Sequence, residues 1–223
     1  MWQVIPSSAI TTEVLDRIPY IVHDLLRQKT GYVASIAGGF PAEMLRKARL
    51  GHVVEASNDI DIFVEASQSD AFISDLRHHG GARVINSSTW ATTLEVMEGY
   101  RPVQVVPVVG YTGDLSELFN TFDLTVCQVG LNFETGRIES TLPASMAAGD
   151  EDDVELIKEN VNLPLLTSRR ILKYARKGYR MDLAQKELIK HIVSNFSFAQ
   201  VFAEQEGYFG KGTIEIKKTD PIF

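Results

Sequence analysis

The tightest constraint in this chain is the stretch from residue 35 to residue 66, SIAGGFPAEMLRKARLGHVVEASNDIDIFVEA. A β-prone run ends at Gly38-Gly39. A helical segment follows, with Pro41 near its first turn and Gly51 just past its end. An apolar strand then carries two aspartates one residue apart. Successive strand residues face opposite ways, so Asp59 and Asp61 share one face while Ile60 and Ile62 share the other. The isoleucines can be buried while both carboxylates project into a cleft. Two like charges held close together out of water need cations, and Mg2+ suits them, being commonly held by one or two carboxylates plus substrate phosphates. Gly38 and Gly39 supply a complement: their backbone N–H groups can approach a phosphate closely, and the helix adds its positive end. Each half has an ordinary alternative, an exposed edge strand for the aspartates and a tight strand-to-helix turn for the glycines.

Hydropathy patterning on either side predicts a mixed α/β head. Residues 11–28 place Val14, Leu15, Ile18, Ile21, Val22, Leu25 and Leu26 at helical spacing, with threonines as N-cap candidates. SDAFISDLRHHGG reads as a helix stopped by Gly80, with His78-His79 favourably placed at its C-terminus. ATTLEVME and RPVQVVPVVG form an expected hairpin, and DLTVCQVGLNFETGRIEST reads as strand, turn at Thr135-Gly136, and strand. From about residue 142 the pattern becomes helical. The expected division is a head over 1–141 and a helical neck and C-terminal segment over 142–223. The aromatics Phe196, Phe198, Phe202, Tyr208 and Phe209 suit a packed C-terminal core.

The chain has 223 residues, 44% of them hydrophobic, enough for a real core. Its single cysteine, Cys127, excludes an internal disulfide framework. There is no basic segment followed by an apolar run at the N-terminus and no run approaching the ~20 apolar residues of a membrane helix. A cytoplasmic protein without membrane contact is therefore expected. The net charge of −7 argues against a protein coated for non-specific nucleic-acid binding. The charge is nevertheless uneven: residues 150–159 carry six acids against one base, and residues 169–190 carry eight bases against two acids.

The ordered set of strand, Gly-Gly, helix and Ser-x-Asp-x-Asp strand resembles the DNA polymerase β-like nucleotidyltransferase superfamily. Within it, the chain is similar to the head and neck of CCA-adding enzymes and bacterial poly(A) polymerases. Two further segments carry the resemblance. TFDLTVCQVGLNFETGRIES at 121–140 looks like the family's Arg-Arg-Asp-Phe-Thr-x-Asn-Ala segment, matching at Asp123 and Thr125. TSRRILKYARKGY at 167–179 is similar to the neck helix through Arg170, Lys173, Tyr174, Gly178 and Tyr179, with a one-residue length difference. The resemblance implies an α+β fold, a mixed-sheet head flanked by helices with a short helical neck. It also implies transfer of an NMP from an NTP, ATP or CTP, to an acceptor hydroxyl, with pyrophosphate release and two Mg2+ ions. Asp59 and Asp61 would hold the metal and carry catalysis. Gly38, Gly39, Ser57, Asp123, Arg170 and Lys173 would bind the nucleotide, and Lys177 and Arg180 would contact an RNA or tRNA acceptor.

The chain also departs from that pattern. Ala42-Glu43 stand where the family has Arg-Asp, Thr121-Phe122 where it has Arg-Arg, and Cys127 where it has Asn. Arg46, Lys47 and Arg49 could replace the missing phosphate contacts or form a solvated helix face. The slot of a third carboxylate matches Gln104, which cannot neutralise a metal or take a proton from a hydroxyl. Two rival readings follow: a catalytically weak nucleotide-binding or interaction protein, and an antitoxin-like or small-molecule nucleotidyltransferase on the same fold.

Overall fold

The computed structural model describes residues 4–9, 12–27, 31–88, 90–133, 135–205 and 214–215. In chain order the elements are β1 (Val4–Ala9), α1 (Thr12–Leu15), α2 (Tyr20–Arg27), β2 (Ala34–Ala37), α3 (Gly39–Leu50), β3 (Ile60–Glu65) and α4 (Ser69–Gly80). They continue with β4 (Arg83–Ser87), β5 (Thr92–Glu95), β6 (Val103–Val109), α5 (Leu115–Phe119), β7 (Val129–Asn132), β8 (Arg137–Thr141) and α6 (Leu142–Ala148). Last come α7 (Pro164–Arg176), α8 (Asp182–Asn195), α9 (Phe198–Gln205) and β9 (Ile214–Glu215). The strands form one mixed sheet in the order β1-β8-β7-β2-β3-β6-β5-β4, with β9 pairing β6. The fold class is the expected α+β, a mixed sheet flanked by helices.

The two faces of the sheet explain its sequence. Ile36, Ile60, Ile62, Val64, Val103 and Val105 are buried in the larger core, against α2, α3 and α4. The alternate residues face the other way, where Ala37, Phe63, Val106 and Val108 pack with Leu115, Leu118 and Phe119 of α5. Asp61 and Gln104 therefore share the face of Phe63 and Val106. β3 and β6 run parallel with Asp61 directly opposite Gln104, and β5 and β6 form the expected antiparallel pair with Thr93 opposite Gln104.

Three expectations about elements change. Pro19 divides the helix expected over 11–28: lacking an N–H, it suits a helix start, and its carbonyl accepts from Val22 and His23. The run DLTVC is not a strand. Thr125–Cys127 is a 3-10 turn, because Thr125 exchanges bonds with Glu155 through its N–H and hydroxyl, and Asp123 O accepts from Ile157 N. α4 includes Gly80, and Gly81 at φ 65° is the residue that caps it. α6, beyond the expected boundary at 141, packs against α3, β1 and β8 of the head. Of the C-terminal aromatics, Phe196 packs on the core; Tyr208 and Phe209 and the side chains of Phe198 and Phe202 lie outside what is described.

The neck is held to the head through Arg46 of α3. Its guanidinium is buried, donates to both carboxylate oxygens of Asp150 at 2.8 and 3.2 Å and to Gly178 O at 2.7 Å, and stacks over the Tyr179 ring at 4.5 Å. Arg49 pairs with Glu151 at 2.7 Å, and Arg180 with Asp153 at 3.1 Å. Arg46 is thus neither a phosphate contact nor part of a solvated face, and the acidic run after residue 150 neutralises basic residues of the same chain. Arg46→Met keeps the apolar stem but removes several charge-assisted hydrogen bonds, and lowers unfolding stability by about 3 kcal/mol. Denaturant unfolding measures this; a change below about 1 kcal/mol would show that the cluster is not structural glue.

Candidate active site

A cleft of ≈ 540 Å³ opens between the Asp61 face of the sheet and α7. Gly38 and Gly39 form one end of it. Gly38 has φ 85° and ψ −133°, a conformation open essentially to glycine, and a Cβ there would lie 3.7 Å from Asp61 Oδ2. Gly38 N donates to Val129 O, which ties the turn to β7 and aims the first turn of α3 at the cleft. Pro41 has no N–H and Ala42 N donates to Gly38 O, so Gly39 and Phe40 carry the N–H groups of that turn that the helix itself does not use. Strand, turn and helix together place backbone donors beside a carboxylate.

Asp61 lies on β3 and lines the cleft; Asp59 stands one residue before the strand and does not line it. Burial, then the charge of Asp59, push the Asp61 carboxyl up to about 7, against the opposing pull of Lys173, Arg170 and Lys177. The pull of these three cations does not cancel the effects of burial and of the Asp59 charge on Asp61. Hard oxygen donors in that condition fit a divalent cation completed by substrate oxygens. Among the described residues there is no group of three or more His, Cys, Asp or Glu that could hold a metal by itself. The reason is visible at the neighbouring register position, where Gln104 faces the same cleft and donates to Thr93 Oγ1 at 3.3 Å.

The neck forms the opposite wall. Asp123 is buried and accepts from Thr167 Oγ1 at 2.6 Å and Arg170 Nη1 at 2.8 Å, so it orients Arg170 and is not free to act as a third carboxylate. Lys173, one turn further along α7, also lines the cleft. Cys127 is buried as expected, although on a 3-10 turn; its thiol donates to Tyr174 Oη at 3.3 Å and is pushed up to about 11 by burial and the charge of Asp123.

Besides Asp59, three expected site residues are placed differently. Ser57 is buried outside the cleft lining: its N–H donates to Glu43, and its hydroxyl accepts from Lys177 Nζ at 2.8 Å. Lys177 was expected on an acceptor-facing surface, but it is buried beneath the site, and burial and the charge of Lys173 lower its pKa. Glu43, in the position of the expected acid of the helix, is itself buried and bound by Arg101 at 2.9 and 3.0 Å. Arg180 is surface-exposed but paired with Asp153, so the 177/180 pair offers no open basic surface. Conversely, Trp90, Asn160, Asn162 and Thr167 line the cleft without a sequence signal of their own, and Thr121 and Phe122, noted only as departures, line it too. Only the short interval from Asn160 to Asn162, just before Pro164, could have hinted at a polar wall.

The chain resembles solved structures of CCA-adding enzymes over nearly its whole length. A CCA-adding enzyme with ATP aligns at a TM-score of 0.61 with 14% identity, over 90% of this chain and 50% of the other. The Thermotoga maritima CCA-adding enzyme complexed with tRNA aligns at 0.58 with 14% identity, over 89% and 50%. A tRNA nucleotidyltransferase with a primer tRNA and an incoming ATP analog aligns at 0.55 with 17% identity, over 82% and 54%. The fold is therefore of the polymerase β-like nucleotidyltransferase type, and the chain spans about half the length of these proteins. No curated protein matches it in sequence. The family model described as Gad2, Gabija anti-defense 2 family protein, matches residues 9–148, and the chain belongs to that family. Among the described residues, no helix is long and apolar enough to cross a membrane.

The Asp61 carboxyl keeps its proton up to about pH 7 in the folded protein, whereas in the unfolded chain it loses it near 4. Folding takes up a proton between these values, so stability falls as pH rises from about 4 through about 7. Asp61→Asn removes that loss. It should melt higher than the wild type at pH 8, with the difference closing toward pH 4. Equal melting temperatures at pH 8 would show that Asp61 carries no such burden.

Proposed function

We propose that this protein is a nucleotidyltransferase that takes an NTP, ATP or CTP, transfers its NMP to an acceptor and releases pyrophosphate, in the service of the anti-defense role that its family name describes. The observation that carries this reading is the meeting in one cleft of Gly38-Gly39, Asp61, Arg170 and Lys173 from distant parts of the chain. Gly38, whose own N–H is held by Val129 O, makes the turn beside the carboxylate, and the Gly39 N–H at the start of α3 is the backbone donor for the terminal phosphates. Arg170, aimed by Asp123, and Lys173 neutralise the triphosphate from the neck side. Asp59 and Asp61 are the oxygen donors for Mg2+, which when bound would polarise the α-phosphate and offset charge on the leaving group. The similar solved structures include complexes with ATP, CTP and tRNA, which favours a nucleotide donor. The buried Lys177 and the Asp153-paired Arg180 do not favour a neck-guided RNA acceptor. A cytoplasmic setting fits an enzyme that draws on cellular NTP.

The test uses α-labelled ATP and CTP with Mg2+, measuring binding by calorimetry and transfer by pyrophosphate release. Lys173→Ala should weaken NTP binding roughly tenfold to a hundredfold, the worth of one charge-assisted bond. Asp61→Asn should remove the Mg2+ dependence of binding and abolish transfer. NTP binding that is absent in the wild type, or unmoved by either change, would remove this function.

A further inference from the structure

The cleft has a chemical gap beside its carboxylates. Its described lining contains only six side chains capable of ionising: Asp61, Asp123, Cys127, Arg170, Lys173 and Tyr174. A hydroxyl acceptor must lose a proton as it attacks, and a general base has to lie within hydrogen-bond reach of it. Arg170 and Lys173 are cations. Asp123 is ion-paired with Arg170 through Oδ2, which also accepts from Thr167, and is spent on aiming that arginine. Cys127 and Tyr174 are buried against one another and uncharged. Asp61 is committed, with Asp59, to the cation. Directly opposite Asp61 in register on β6 stands Gln104, whose amide cannot take up a proton at neutral pH and donates to Thr93 Oγ1.

Neutrality at this position has a second effect. A carboxylate opposite Asp61 would repel an incoming anion; an amide does not. The other polar side chains lining the cleft, Ser88, Trp90, Thr121, Asn160, Asn162 and Thr167, are uncharged as well. An anionic oxygen can therefore approach the α-phosphate here with little added repulsion and needs no base at all.

We propose, resting on the nucleotidyl transfer above, that the acceptor presents an oxygen already ionised at neutral pH, a phosphomonoester or a carboxylate, and that Gln104 sets this preference over a hydroxyl. The anionic oxygen attacks the α-phosphorus and forms a P–O bond. The bond from the α-phosphorus to the bridging oxygen of the β-phosphate breaks, and pyrophosphate leaves with the electron pair. The product is a phosphoanhydride or a mixed acyl anhydride, and no proton is taken from the acceptor. A phosphomonoester carries about −1.5 to −2 at pH 7, so its nucleophile is present without activation.

The test offers the full chain α-labelled ATP or CTP, Mg2+, and in separate reactions uridine 5′-monophosphate, acetate and uridine. Hydroxylamine traps any acyl product, and pyrophosphate release gives the rate. Uridine controls for the ribose hydroxyls of its monophosphate. The expected result is label on the monophosphate or on acetate at a rate at least tenfold above uridine; which of the two is labelled identifies the acceptor oxygen. Gln104→Glu should shift the ratio at least tenfold toward uridine, whereas neutral Gln104→Leu should keep the wild-type order. Labelling of uridine as fast as either anion, or a ratio unmoved in a folded Gln104→Glu protein, overturns the proposal. No label on either anion while Asp61-dependent NTP binding persists overturns the acceptor class but leaves nucleotide binding standing. Absence of NTP binding instead removes the function on which the proposal rests. If Gln104→Glu does not fold, the wild-type ratio alone decides.

Discussion

Everything about the cleft depends on the buried guanidinium of Arg46. A cleft between a sheet and a helix exists only while the helix keeps its place, and α7 is placed by few apolar residues of its own, chiefly Ile171 and Tyr174. Arg46 supplies the rest by reaching from α3 to Asp150, Gly178 and Tyr179. Buried charges are tolerated only when their hydrogen-bonding capacity is largely met, so the geometry around this side chain has little freedom. The same helix begins at Gly38-Gly39. One element thus fixes both the Gly-Gly turn and, through Arg46 further along it, the wall opposite.

The electrostatics of the site divide into two layers. Beneath it, Glu43 is surrounded by Arg101, Arg17 and the Ser57 N–H, and Lys177 is bonded to Ser57. These groups satisfy one another and make a rigid floor. Above it, burial and then the charge of Asp59 push the Asp61 carboxyl up to about 7 despite three nearby cations. A folded protein that retains such a burden gives up stability for a poised site, a pattern typical of functional clefts. The contrast between a satisfied floor and an unsatisfied surface is a stronger pointer to function than either carboxylate alone.

Much of this was legible in the sequence because it is local. The Gly-Gly turn, α3 with its Gly51 cap and the alternation around Asp61 are each encoded within a few residues, and all are present. The hairpin placing Gln104 in line with Asp61 followed from two apolar runs and a turn. β1 and β4 were missed for a shared reason. Both are edge strands: β1 carries Pro6 beside a register irregularity, and the residues of β4 are all exposed, so neither has the alternation of a half-buried strand. The fates of Lys177 and Arg180 were illegible because charge counts carry no information on partners distant in sequence. The block of acids after residue 150 looked like a surface feature, yet it serves as the counter-ion supply for Arg46, Arg49 and Arg180. Trp90 and the asparagines reach the cleft through tertiary placement alone.

The short strand β9 has a bearing on how the molecule behaves among its own copies. β6 is flanked by β3 along its length, but β5 covers its other side only from Val103 to Val105. Past that point the backbone of β6 would present unsatisfied N–H and C=O groups, beside apolar side chains, to any passing strand. Ile214–Glu215 lies in parallel along Val108 and Val109 and covers the far end of that edge. An open apolar edge is a template for intermolecular pairing, so two residues far along the sequence guard the colloidal stability of a sheet whose cleft-lining face lies on the same strand.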